Sequence, residues 1–247
     1  MTLLFSPPAP RGVGAGSKGE QQPTENQALN SERRFHFRGL RGSKASFFYS
    51  ATSIALSIAS KLLPLIFLPF LIKRLGWKKS IQYFSVIGLV LLLLFVPLLS
   101  ETFINNFGNS LNLYFQKFEF NASIYYIARW IGYQKIGYNL IHYLGPAFAF
   151  CTLASILFMA FFEKKPSWDH FFEKALFAIC IYLLFSATVH PWYVSLPIVL
   201  CLFTRFRFPI LWSGLVFLTY INYSYGDYFE NLWVVGIEYL AVIGFLL

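Results

Sequence analysis

Residues 80–100 carry no charged side chain and run through Leu91-Leu92-Leu93-Leu94 at their centre. About 20 predominantly apolar residues are what one helix needs to cross the hydrocarbon core of a bilayer. Six further apolar segments accompany this run, at 47–72, 136–162, 171–189, 191–206, 208–225 and 229–247. Hydrophobic residues make up 57% of the 247-residue chain and charged residues 13%, against roughly 25% charged in a soluble domain. Water could not solvate the surface of such a bundle, so lipid is the expected solvent. The sequence therefore predicts an all-α, polytopic transmembrane helix bundle, integral to the membrane and multi-pass, over residues 46–247.

Residues 1–45 contrast with this. They run from Ser6-Pro7-Pro8-Ala9-Pro10 through Gly, Ser, Gln and Glu to Arg33-Arg34 with no apolar period. That composition cannot bury a core and is expected to form a disordered basic tail. The apolar stretch Thr2 to Phe5 is too short for the core of a secretory signal, so no cleaved signal is expected.

The formal charge of +9 suggests nucleic acid until the cations are located. Residues 1–46 hold seven Lys/Arg against three Glu, and most of the other cations flank apolar runs. Membrane topology explains that placement, and no nucleic-acid partner is expected. Cys151, Cys180 and Cys201 all fall inside apolar runs without metal-ligand spacing. They read as small buried hydrophobes rather than ligands or a disulfide framework, and no metal or cofactor is expected.

Cytoplasmic loops of membrane proteins carry an excess of Lys and Arg. Lys73, Arg74, Lys78 and Lys79, then Lys164, Lys165 and Lys174, then Arg205 and Arg207 follow alternate apolar segments. The intervening loops hold only Lys117, Arg129 and Lys135, all within 101–135. The asymmetry predicts 73–79, 163–174 and 205–207 in the cytoplasm, with 101–135, 190–192 and 223–230 outside. Segment 47–72 contains Lys61, Pro64 and Pro69. It either spans or re-enters as a hairpin bent near Lys61 to Pro64, which would keep the basic tail inside.

Three polar groups stand out on the apolar background. The first is Phe118-Glu119-Phe120-Asn121-Ala122-Ser123-Ile124-Tyr125-Tyr126 with Arg129-Trp130, in an otherwise polar and aromatic connection. A short helix over 121–133, with Asn121 as its N-cap, puts Tyr125 and Arg129 on one face at four-residue spacing. Arg, Tyr and Trp at such a place suit a phosphate on an apolar chain; an interfacial helix anchored by its aromatics explains them equally. The second is Thr188-Val189-His190-Pro191-Trp192-Tyr193. Here an imidazole and two amphipathic rings suit a phosphate and a sugar, or form an aromatic belt. The third is charge inside apolar runs: Lys61, which either faces the bundle interior or snorkels, and Glu238, which is functional or satisfied by a neighbouring hydroxyl or its own proton.

The runs 57–69, 118–126 and 188–193, in this order and spacing, resemble the C-terminal half of polytopic GT-C glycosyltransferases. They are most similar to bacterial mannosyltransferase-like proteins. The resemblance covers about residues 54–247. It implies transfer of a hexose from a polyprenyl-phosphate-linked donor at the outer face of a bacterial cytoplasmic membrane, with that donor and membrane lipid as partners. Under it, Arg129 and His190 would hold the lipid phosphate. Trp192, Tyr193, Asn121, Tyr125 and Lys61 would line the donor site, and Glu119 is the fallback base. The family's catalytic acid lies in a first outer loop after the first span, and the tail of this chain precedes no such loop. A donor-binding fragment, or a non-catalytic membrane subunit, is expected on that count. A transporter or flippase-like protein is the alternative from another class, since broken helices and buried charges serve transport too.

Overall fold

The computed structural model describes residues 44–116, 118–224 and 231–246; most of the expected tail, residues 1–43, lies outside them. Among the described residues every regular element is helical, comprising ten α-helices and four 3-10 turns. The all-α expectation holds. The segment boundaries differ from those read from hydropathy, for identifiable reasons.

The first apolar segment is not one helix. Helix α1 (Lys44–Ser60) ends two residues before a 3-10 turn at Leu63–Phe67, which leads into α2 (Leu68–Leu75). Pro64 and Pro69 occupy the opening turns of the latter two elements, where a missing N–H costs nothing. The break lies where a hairpin bend was expected, beside Lys61. On α1, the hydroxyls of Ser53, Ser57 and Ser60 donate to carbonyls three or four residues back. They are thereby satisfied without water. Gly76, at φ 80°, separates α2 from α3 (Trp77–Phe95). At that angle a side chain would be strained.

Helix α3 and the 3-10 turn Val96–Leu98 form a continuous 22-residue helix, and α6 (Ile141–Phe161) is nearly as long. At 1.5 Å per residue each rises roughly 30 Å, the thickness of a hydrocarbon core. Their burial is confined to stripes at helical spacing: Ser80, Tyr83 and Ile87 on α3, and Thr152, Ile156 and Ala160 on α6. Only 11% of the first apolar window and 22% of the second is buried inside the protein. Leu92, Leu93, Phe150 and Phe158 are all more than half exposed, the opposite of a soluble core helix.

The remaining apolar segments are shorter than expected. Helix α7 is Phe171–Phe185, a 3-10 turn at Pro191–Val194 runs into α8 (Ser195–Cys201), α9 (Phe208–Leu215) runs into a 3-10 turn at Val216–Tyr223, and α10 is Leu232–Leu246. The expected span 191–206 is thus an 11-residue helical piece, about 18 Å long by its rise. These elements pack on one another. Leu176, Ile179, Leu183, Val194, Trp212 and Val216 are the centre of the core. Hydropathy alone cannot separate an apolar helix with a broadly exposed flank, such as α3, from one packed among its neighbours, such as α7, and here both occur.

The connection 101–135 is itself largely helical: the short helix expected over 121–133 is present, shifted by three residues, and a second helix precedes it that the composition did not suggest. It contains α4 (Glu101–Gln116) and α5 (Ile124–Ile136). The Asn-rich run 105–112 sits on α4, a two-faced helix whose polar half resembles a loop in composition.

Two ends of the α7–α10 core can be told apart by the contacts at either end of α7. Near Phe171, Arg74 donates to both carboxylate oxygens of Glu163 at 2.9 and 2.8 Å, and Phe172 stacks on Phe203 at 4.5 Å. The three basic loops therefore lie together. Beyond Phe185, Phe120 N donates to Ala187 O at 3.0 Å and Val189 N donates to Phe120 O at 2.8 Å, an isolated parallel bridge. Both aromatic motifs lie together at that end.

Candidate functional site

The bridge is the foundation of the site. Thr188 Oγ1 donates to Phe118 O at 2.9 Å, and Ser123 Oγ donates to Leu184 O at 2.9 Å. Residues 118–123 are thus pinned by backbone and hydroxyl bonds to 184–189. Ser186 closes the turn, donating to Thr188 O at 2.7 Å and accepting from Thr188 N at 3.1 Å.

Along this extended segment, Glu119 and Asn121 enter two different polar networks. Glu119 Oε1 accepts from Tyr125 Oη and from Asn139 Nδ2, each at 2.5 Å. Its Oε2 accepts from Arg129 Nη1. Asn139 Oδ1 accepts from Tyr125 Oη at 3.1 Å and from the N–H of Ile141 at 3.0 Å. That last bond ties the network to the start of α6. The guanidinium of Arg129 also lies over the ring of Tyr126, 4.4 Å from its centroid. Tyr125 and Arg129 do share a face of α5, and both reach Glu119. Burial, reinforced by the Glu119 carboxylate, pushes the Tyr125 phenol well above the usual tyrosine range, so Tyr125 acts as a donor. Tyr125, Asn139 and Arg129 together hold Glu119 as an acceptor.

Asn121 is not the N-cap of α5. That position falls to Ser123, whose hydroxyl turns away to Leu184, and α5 begins at Ile124. Asn121 instead adopts φ 47°, a left-handed conformation that Asn tolerates better than most residues. Its side chain is fully buried, and Nδ2 donates to both oxygens of Glu238 at 3.2 Å. Trp212 Nε1 donates to Glu238 Oε1 at 2.8 Å, and Tyr239 Oη donates to Asn121 O at 2.9 Å. Asn121 is thus placed to hold the interior together, and not on the surface where a donor contact was expected.

His190 is layered between aromatic rings. Trp192 stacks on it at 4.3 Å and Phe120 at 5.0 Å, with Tyr193 edge-on at 5.5 Å. Partial burial pushes its imidazole below the ordinary histidine range, which opposes its expected role as a phosphate-binding cation. Trp192 is half exposed and presents the outer surface of the stack. Lys61 is exposed, one residue past α1, and takes no part in either network.

Residues outside the expected set complete the site. Asn139, Trp212 and Tyr239 have no local motif, because each partners a residue far away in sequence. The spacing of Glu238 inside an apolar run was a legible signal; its partners were not. The chain matches no family model, no curated protein and no solved structure.

Proposed function

We propose that this chain is a multi-pass membrane protein that binds a polyprenyl-phosphate-linked sugar at the bridge end of its core, as the donor-holding part of a glycosyltransferase of the bacterial cytoplasmic membrane. The observation that carries this reading is the apposition, through the Phe120–Thr188 bridge, of the Glu119–Arg129 pair and the His190–Trp192 stack. A lipid-linked sugar presents an apolar chain, a phosphate and a sugar ring. Helices α3 and α6 offer exposed apolar surface, Arg129 a planar cation suited to phosphate, and Trp192 an exposed ring face for a sugar.

Arg129 is already neutralised by Glu119, so phosphate must exchange with that carboxylate. Such an exchange releases Glu119 from its cationic partner, leaving a carboxylate able to accept a proton from an acceptor hydroxyl. As the acceptor oxygen bonds to the anomeric carbon and the bond from that carbon to the lipid phosphate breaks, Arg129 would stabilise the charge on the departing phosphate. The test is binding of a short-chain polyprenyl-phosphate sugar to purified protein in detergent. Arg129→Lys should weaken binding and Trp192→Ala should weaken it independently, by roughly tenfold or more for loss of a charge-assisted bond. No binding by the wild type, or binding by both variants as tight as that of the wild type, overturns the reading.

One observation favours transport instead. Glu238 is fully buried, and the neutral side chains of Asn121 and Trp212 donate to its carboxylate. Ionisable groups inside membrane bundles mark ion and proton paths by default. Substrate uptake into proteoliposomes that is lost in Glu238→Gln, with no donor binding, would select that reading.

A further inference from the structure

The opposite end of the core carries a second arrangement that donor binding does not use. Arg74 and Glu163 form a bidentate pair whose side chains are 1% and 5% exposed. Arg74 also donates through Nε to Ser167 O at 2.9 Å and lies over the ring of Phe171. Lys73 Nζ donates to the carbonyls of Phe161 and Glu163 at 2.6 and 2.8 Å. It thereby closes the last turn of α6. The α2–α3 turn is thus fastened to the α6–α7 loop by the shielded Arg74 bonds and, at the exposed edge, by Lys73.

The fastening brings together cations that do not pair with one another. Lys78 and Lys79 follow the clamp on one strand of chain, and Lys164 and Lys165 on the other; all four are exposed. The Phe172–Phe203 stack adds the loop bearing the exposed Arg205. Of the acids nearby, Glu163 is consumed by Arg74, Glu173 lies 3.4 Å from His170, and Asp169 is exposed. The surface is left with a marked positive excess. Beside the lysines, Trp77 is 66% exposed and Trp168 40%. Indole rings with one apolar and one wet edge settle at the headgroup level of a bilayer. Lysines in the same layer meet lipid phosphate, and each contributes attraction to an anionic leaflet.

We propose that this end of the protein is a docking surface for anionic phospholipid headgroups. Lys78, Lys79, Lys164 and Lys165 contact phosphate, and the Arg74–Glu163 clamp is the positioning element that makes two separate lysine pairs into one surface. The proposal rests on the membrane reading above and not on the sugar donor. Charge complementarity selects the occupant, since a zwitterionic leaflet has no net charge to answer that excess.

The test uses the full chain reconstituted in nanodiscs of phosphatidylcholine alone and of phosphatidylcholine with one third phosphatidylglycerol. Wild type should melt several degrees higher in the anionic discs, and added salt should shrink the difference. The variant Lys78→Gln/Lys79→Gln/Lys164→Gln/Lys165→Gln should melt alike in both. As a milder variant, Lys164→Gln/Lys165→Gln should lose about half of the difference. An anionic-lipid shift that persists in the quadruple variant overturns the proposal, as does its absence in the wild type. A shift reproduced by inorganic phosphate in phosphatidylcholine discs also overturns it, by showing free-anion binding. Failure of the wild type to enter either disc would instead overturn the membrane reading.

Discussion

Asn121 and Glu238, 117 positions apart, meet in the interior with the amide nitrogen 3.2 Å from both carboxylate oxygens. Neither residue is accessible to solvent. This contact joins the segment that carries Glu119 to the last described helix, so the stability of the core and the geometry of the site share one bond.

The first prediction concerns that contact. Asn121→Ala removes a donor from a buried carboxylate and should destabilise the protein by about 2–3 kcal/mol. Glu238→Gln keeps the shape and an acceptor for Trp212, and should cost under about 1 kcal/mol. Thermal melting of the purified variants checks both. An Asn121→Ala protein as stable as wild type would show that the contact carries no weight.

A second prediction isolates the Glu119–Arg129 pair. The two side chains are 12% and 19% exposed, shielded enough for strong coupling without full desolvation. A double-mutant cycle with Glu119→Gln and Arg129→Gln should return a coupling of about 1.5–3 kcal/mol. Additive effects would mean that Tyr125 and Asn139 alone hold the carboxylate.

The third follows from the aromatic layers around His190. Its pKa is lowered on folding because burial disfavours the imidazolium. The unfolded chain therefore binds the proton more readily. The contribution to stability is full above the unfolded value of about 6.5 and is lost as pH falls from there through the lower folded pKa. His190→Phe should remove this part of the pH dependence. Melting curves between pH 8 and pH 5 would show wild type losing more stability than the variant; parallel curves would refute it.

A fourth prediction addresses the two ends of the core. With Cys151, Cys180 and Cys201 replaced, a single Cys at Ser224 should react with an impermeant thiol reagent in intact cells. A single Cys at Lys165 should not. The reverse pattern overturns the orientation drawn from the basic loops.

The sequence displayed some of these features openly. Uncharged runs long enough to cross a bilayer located α3 and α6, and four-residue spacing placed Tyr125 beside Arg129. Other features were hidden for physical reasons. The polar half of α4 has the composition of a loop, and only its periodicity distinguishes the two. Asn121 has the right side chain for a cap, yet α5 begins only at Ile124 and the Asn121 side chain turns inward to donate to a buried carboxylate. Segments 191–206 and 208–225 bury one side against other helices yet leave Val199, Ile210 and Phe217 exposed, and hydropathy does not distinguish the two sides. The Glu238 network depends on Asn121, Trp212 and Tyr239, brought together by packing that no local pattern encodes.

The parallel bridge between Phe120 and Thr188 also sets an order of events during synthesis. Glu119 and Asn121 leave the ribosome about 70 residues before Thr188, and Glu238 follows a further 50 later. Glu119 meets Tyr125, Arg129 and Asn139 early, and Ala187 and Val189 then hold the backbone of its segment, but the Asn121 amide waits for Glu238. The Asn121–Glu238 network therefore cannot form on a nascent chain that stops short of Glu238. Its closure reports that the helix bearing Glu238 has been seated, which makes this polar interior a built-in check on the packing of that helix.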